Sequence, residues 1–473
     1  MQEKFDLSIK HPDFVANEEL RELSRTLYEG KREEISGLIR AGTYESDEFF
    51  KKRRDQFVYE NLLKPIISAR IGLLTRSTPE VSVPNSVEGY LNDMDGEGTS
   101  FNQWIKEAAT NADIDGISWA LVDFPDVSSF VDEEGRPLIN SKEDESVYNI
   151  RPLVKKVPTG SVIRWKQNEF DKELDWVVLS YLSLVDKGIG GSYEEEEKWV
   201  VWSRQSIQIY KKGGSTNKNG YELVDEKKNE IGVVPLVPFY GIKTEAPFTG
   251  IPFGYSVLDH LVKILNLESQ KHYAIEQVLM PAMYIISEEK PTDVPRPEYA
   301  FWLPIGRQGQ KPDVGYVEPS GRGIELCDQE IKDLINRVFR NTIYLSKKPG
   351  AQVQSADSQR EETTILKSDL SSIALNHESS ALRVLKLIEL YETGSVSDNS
   401  QFVVHFSRDF DVRKISPQEI KELSNLANSK SISKQTLWEL LVLGEVFPEK
   451  FSSDDEVARL FEEQDIDQKN LSF

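Results

Sequence analysis

The segment from Ser256 to Met280 limits what this chain can become more than any other. Val257, Leu258, Leu261, Val262, Ile264, Leu265 and Leu267 leave little of its first half polar, whereas Glu268, Ser269, Gln270, Lys271 and His272 break up the second. A helix apolar nearly all round has to be buried on several sides, so the fold must wrap it. Ser256 supplies an N-cap and Pro281 a stop. A rise of about 1.5 Å per residue gives a rod of about 37 Å, and its charges disqualify it as a membrane span.

The next helix follows a stretch containing Pro291, Pro295, Pro297, Pro304 and Pro312. After Asp328 as its cap, Ile331, Leu334, Ile335, Val338, Phe339 and Ile343 recur at the spacing of a one-sided amphipathic helix. A third helix starts at the capping box Ser358-x-x-Glu361 and meets no proline or glycine before Gly394, a rod of about 50 Å. The order is long helix, proline-rich excursion, amphipathic helix, polar loop, very long helix.

This order resembles the portal protein of tailed bacteriophages, in which two stem helices flank a clip, a tunnel loop follows and a long helix crosses the wing. Near the start, Arg53, Tyr59, Asn61, Pro65 and Gly72 match the texture of a portal helix, and the Asp-Gly-x-Gly-Thr-Ser turn from Asp95 to Ser100 resembles one branch of the family. The resemblance implies an α+β, portal-like fold with an α/β wing, long stem helices, a small α+β clip and a helical C-terminal crown. It divides the chain into a wing of N-terminal helices and antiparallel sheet (1–253), a first stem helix (254–281), the clip (282–325), a second stem helix (326–345) and the tunnel loop (346–357). The long wing helix and a strand (358–410) and the crown (411–473) complete it.

The implied function is a ring of twelve copies at one capsid vertex, the channel for DNA packaging and ejection. Its partners would be double-stranded DNA passing without sequence specificity, the terminase large subunit, the major capsid protein, the scaffold and a head-completion adaptor; no membrane and no cofactor are implied. Lys347, Lys348, Gln352 and Gln354 are then the DNA-facing candidates of the tunnel loop. Leu258, Leu261, Leu265, Ile331, Ile335 and Phe339 are the candidates for packing the stem.

Composition bears on this reading at three points. The length of 473 residues allows two to four domains. Cys327 is the only cysteine, so no intrachain disulfide forms, and Met1 to Lys10 lacks the basic and apolar segments of a signal peptide. The net charge of −22 opposes a tight grip on DNA, because a polyanion is held by local basic patches and none of useful size is found. Acidity ordinarily means solubility alone, but a conduit gains from it, since a basic wall would retain DNA through counterion release.

The remaining segments read in order as follows. Residues 11–76 are helical, with a turn and cap from Thr43 to Phe50 before a second helix; the run Lys51, Lys52, Arg53, Arg54 reads as a solvated face, with phosphate or an acidic neighbouring subunit as the alternative. Asp93 to Thr99 imitates an EF-hand opening, but the twelfth position is Trp104 where a bidentate Glu is required, so a turn capping the Phe101 helix is expected and calcium is not. Gly116 to Pro125 is a buried-type strand, with Asp123 a structural end rather than a catalytic acid. Antiparallel strands follow at 176–181, 198–203, 206–210, 221–224 and 233–240, closed by Pro235 and Pro238. Glu194 to Glu197 guards an edge, or less readily meets a basic partner. Short strands at 282–286 and 299–303 build the excursion.

After Gly394 come a strand at 402–406 and short helices on Ile420, Leu423 and Leu426, on Leu437, Leu440 and Leu441, and on Val457, Leu460 and Phe461. No P-loop, Gly-x-Ser-x-Gly, His-Glu-x-x-His or dinucleotide fingerprint occurs, and five scattered histidines propose no metal site. An enzyme is therefore not expected. The competing readings are another virion structural protein, such as a neck or scaffold component, and an enzyme whose site forms only in three dimensions.

Overall fold

The computed structural model describes residues 6–125, 150–189, 191–213, 220–279, 282–292, 300–305, 311–317, 321–342, 356–408, 417–429 and 431–443, with single residues outside these ranges. The fold is α+β. Two compact units divide the chain, Met1–Arg408 and Asp409–Phe473.

The first unit opens with α1 (Pro12–Glu29), α2 (Arg32–Gly37), α3 (Asp47–Gln56) and α4 (Leu63–Leu74). Pro12 starts α1 at a position where its missing N–H costs nothing, and the Ser46 hydroxyl accepts from the Phe49 N–H at the start of α3. The second helix expected from the sequence is thus two. Phe57 turns extended between them, and the strap it begins satisfies carbonyls left open at the end of α1. The Tyr59 hydroxyl donates to Leu27 O (2.6 Å) and the Asn61 amide to Tyr28 O (2.7 Å), while Asn61 Oδ1 accepts the Lys64 N–H.

Next come β1 (Glu80–Ser82), α5 (Asn85–Glu88), α6 (Phe101–Asp115) and β2 (Ile117–Asp123). The acidic segment before α6 is a turn: Asp93 Oδ1 accepts the N–H groups of Gly96 and Gly98, and Asp93 Oδ2 pairs with Arg151. Gly116 joins α6 to β2 with φ +85, and a Cβ there would lie 2.5 Å from the Gly250 carbonyl oxygen, so only glycine fits. Asp123 pairs with Lys155 at 2.8 Å.

β2 is the centre of a three-stranded antiparallel sheet with β3 (Leu153–Val157) and a strand at Leu236–Tyr240. Both faces of this sheet are covered. Ala120, Val122, Val154, Val237 and Phe239 face the larger core, built with α4, α6 and the later helices. Ile117, Trp119, Leu121, Val157 and Leu236 face a second core. Two-sided burial explains why residues 117–122 are apolar, without alternation, at every position except Ser118, whose hydroxyl donates to Ala108 O.

The second core lies on a five-stranded antiparallel meander of β4 (Val162–Gln167), β5 (Leu174–Asp186), β6 (Tyr193–Ser203), β7 (Ser206–Lys212) and β8 (Tyr221–Lys228). The strand at Leu236–Tyr240, β9, was expected to close this meander but lies in the β2 sheet instead. There it pairs on one side only, which is where a strand tolerates Pro238. Two short strands, β10 (Ile242–Lys243) and β11 (Gly250–Ile251), lead to the long helices.

Those are α7 (Leu258–Leu279), α8 (Arg322–Thr342) and α9 (Ala356–Thr393), with β12 (Ala282–Ser287), β13 (Ala300–Pro304) and β14 (Asp313–Val317) between the first two. Three starts differ from expectation. Ser256 lies in a 3-10 turn ahead of α7. Asp328 does not cap α8, which begins six residues earlier at Arg322 and ends at Thr342; it sits inside the helix and pairs with Lys332 and Lys271. α9 begins at Ala356, before Ser358, and Gly394 ends it with φ +74, its N–H bonding Leu390 O. β15 (Val403–His405) then pairs antiparallel with β1.

In the second unit, α10 (Pro417–Asn428) and α11 (Lys434–Leu443) form a helical pair, and the Ser433 hydroxyl accepts the Thr436 N–H at the start of α11. The third helix expected there, on Val457, Leu460 and Phe461, falls outside the described residues.

Candidate functional site

The feature that most separates this chain from a self-contained globule is the helical pair α7 and α8 with the sheet at its end. Polar contacts set the pairing. Lys263 meets Glu330 at 2.6 Å, the Cys327 thiol donates to Leu267 O, and Lys271 reaches Asp328 at 3.6 Å. From Lys263 to Leu267 the partner on α8 moves back from Glu330 to Cys327, as in an antiparallel pair. Lys271 is partly buried, which opposes its charge, but Glu268 and Asp328 outweigh this and raise its pKa. Partial burial also pushes the Cys327 thiol up.

Along the pair burial is lopsided. Leu258, Leu261 and Leu265 of α7 and Ile331, Leu334 and Val338 of α8 are buried in the larger core; Ile335 and Phe339 are half-buried against it. Beyond Ser269 of α7 and before Ile331 of α8, no described side chain is buried. Leu279 and Leu326, at those ends, are 75% and 60% exposed.

The base of the pair is fastened by ionic contacts. Arg53, expected on a solvated face, is buried: its guanidinium bonds both Glu45 oxygens, Arg40 O and the buried Ser269 hydroxyl of α7. Lys51, Lys52 and Arg54 stay exposed. A second node holds α9. Arg70 of α4 lies between Asp113 of α6 (2.5 Å) and Asp369 of α9 (3.1 Å), over the Phe253 ring. Burial opposes the Arg70 charge, but the two carboxylates outweigh it and raise its pKa. One helical stretch further along α9, His377 is fully buried against Phe239, without a hydrogen bond to either ring nitrogen, and burial lowers its pKa to about 3. The basic run and the portal texture pointed to Arg53 but not to its burial, and no local pattern marked Arg70 or His377, since their partners lie on other elements of the fold.

The sheet at the far end has order β13-β12-β14, parallel between β12 and β13 and antiparallel between β12 and β14. Directly paired residues share a face, so Tyr284, Ile286, Phe301 and Leu303 lie on one side and Ile285, Trp302, Val314 and Tyr316 on register-matched positions of the other. Both faces are apolar and no described residue of either is buried. β14 was not anticipated: Asp313-Val-Gly-Tyr-Val is short and flanked by proline and glycine. Trp302 Nε1 donates to the Ser287 hydroxyl and the Tyr284 hydroxyl to Asp313, tying the three strands together.

The tunnel-loop candidates Lys347, Lys348, Gln352 and Gln354 lie outside the described residues. Among the described residues, no group of three or more His, Cys, Asp or Glu is placed to hold a metal ion, and no helix is long and apolar enough to cross a membrane. A cavity of about 650 Å³ lies between α1, α6 and β3 and is lined by both signs of charge, including Arg21, Arg25, Glu22 and Asp115.

No family model matches the sequence, and no curated protein matches it. Among solved structures the chain is similar, at 11% identity and a TM-score of 0.38, to a chain of the "Neck of native GTA particle computed with C12 symmetry", with 88% of this chain and 98% of that one covered.

Proposed function

We propose that this protein is a ring-forming structural component of a phage-type virion, and specifically the portal subunit through which the genome is packaged and released. One observation carries the reading: the antiparallel pair α7 and α8 leaves the larger core and ends in a three-stranded sheet that is apolar on both faces and, among the described residues, fully buried on neither. A small sheet needs a hydrophobic face packed against something to be stable in water. Contiguous exposed apolar surface of this kind marks an interaction site.

Other copies of the chain are the natural cover, because a closed ring places every projecting stem beside two others. The order of long helix, excursion, amphipathic helix and very long helix supports the same reading. A net charge of −22 per copy suits a passage that lets DNA slide without holding it. The ring would work as a scaffold and conduit, with chemical work left to a terminase, and would meet capsid, scaffold and adaptor proteins at the vertex.

Native mass measurement with negative-stain imaging of the purified full chain tests this. The expected outcome is a closed ring with an axial hole, close to twelve copies by the portal resemblance. A folded monomer at micromolar concentration would overturn the reading.

A further inference from the structure

The acidic block Glu194–Glu197 and the basic run of α3 are both left over by the portal reading, and the structure gives each a surface. Strand β4 stops pairing with β5 at Leu179, and β7 stops pairing with β6 at Lys198. The rungs from Leu182↔Glu197 to Asp186↔Tyr193 therefore project as a two-stranded arm beyond the rest of the meander. Such a ribbon alone is marginal in water. Its face is built in two columns: Leu182 and Leu184, more than 60% exposed, directly opposite Glu197 and Glu195. Ile189 is fully exposed at the arm's turn.

Helix α3 carries the complementary pattern. Arg53 is spent inside the fold, but Lys51, Lys52 and Arg54 are exposed, beside Phe49 and Val58, which are themselves about half exposed. Alternate residues on a strand are about 7 Å apart, and positions three apart on a helix have Cβ atoms about 5–6 Å apart. Glu195 and Glu197 can thus meet Lys51 and Arg54 together, with Leu182 and Leu184 against the apolar rim.

We infer that the β5–β6 arm of one copy docks on helix α3 of the next, Leu182 and Leu184 supplying the apolar contact and Glu195 and Glu197 facing Lys51 and Arg54. This rests on the ring reading above and names one of its interfaces. Two different patches on one chain make a heterologous contact, the type that closes into a ring when the rotation allows. Copies carrying −22 each repel one another, so local pairs of opposite charge also supply register.

Charge reversal in the full-length chain, read by native mass spectrometry, tests the contact. Glu195→Lys with Glu197→Lys should abolish rings, Lys51→Glu with Arg54→Glu should do the same, and the four changes combined should restore them. Glu194→Lys with Glu196→Lys, on the arm's other face, should leave rings intact. Rings that survive both reversals, equal loss from both arm variants, or failure of the combined variant to recover would overturn the contact while leaving the ring reading standing. An unmodified chain that stays monomeric would overturn both.

Discussion

Two three-stranded sheets in this chain draw on the same kinds of residues and meet opposite fates. The sheet of β3, β2 and β9 has Val122 and Phe239 on one face and Leu121 and Leu236 on the other, all buried, between two cores. The sheet of β12, β13 and β14 carries Ile286 and Phe301 on one face and Val314 and Tyr316 on the other, none buried. The first has α6 and α9 lying over it; the second stands at the end of a helical pair. Strand composition therefore does not say whether a sheet is covered. Which segments cover a sheet is decided by what folds or docks over it, and among the described residues nothing fully buries either face of the second sheet.

The same substitution in both sheets gives the sharpest test. Val122→Asp places an unpaired carboxylate where water cannot follow, and the isolated chain should fail to fold. At Val314, 62% exposed, Asp should change the stability of the unassembled chain by no more than about 0.5 kcal/mol while lowering ring yield. Denaturant unfolding at concentrations below assembly measures both. Equal losses at the two positions would mean that the tip sheet is already covered within one chain.

Next in size is the node that clamps α9 beside the buried sheet. Arg70→Met leaves Asp113, which is fully buried, without its partner, and should cost about 3–5 kcal/mol in the same unfolding measurement. Asp369→Asn should cost far less, because Asp369 is about half exposed and contributes the weaker contact. A cost at Asp369 matching that at Arg70 would move the clamp's weight to the wrong end.

A smaller effect follows from His377, packed on Phe239 of the buried sheet. Its folded pKa of about 3 lies below the ordinary value of 6.5, so the unfolded chain binds the extra proton between those limits. The stability this residue contributes is complete above about pH 6.5 and falls as pH drops toward 3, with a slope of up to about one proton. His377→Phe keeps the ring and removes the titration, and should flatten that slope. An unchanged slope in the variant would assign the acid sensitivity to other groups. The smallest effect is expected at Phe301→Ser, within about 0.5 kcal/mol for the unassembled chain.

Much of the architecture was legible in the linear sequence, and for local reasons. The apolar run after Ser256, the spacing from Ile331 to Phe339 and the uninterrupted stretch to Gly394 are patterns within one helix, so periodicity identifies α7, α8 and α9, and Gly394 marks where α9 ends. Gly-rich breaks after Lys187 and Lys212 likewise separate the hairpins of the meander. Helix starts were less legible: α8 begins before Asp328, among residues with no apolar periodicity of their own.

What only the tertiary structure decided depends on residues far apart in sequence. Arg53 and Arg54 are neighbours of the same chemistry, yet one is buried because Glu45, Arg40 and Ser269 converge on it, and the other is exposed. Tyr59 and Asn61 break a helix because open carbonyls of α1 lie within reach. Arg70 and Asp369, 299 residues apart, meet only once α4, α6 and α9 are packed. The contrast between the two sheets belongs here too. Periodicity fixes which residues share a face, whereas the burial of that face depends on which other segments fold over it, and no local pattern encodes that.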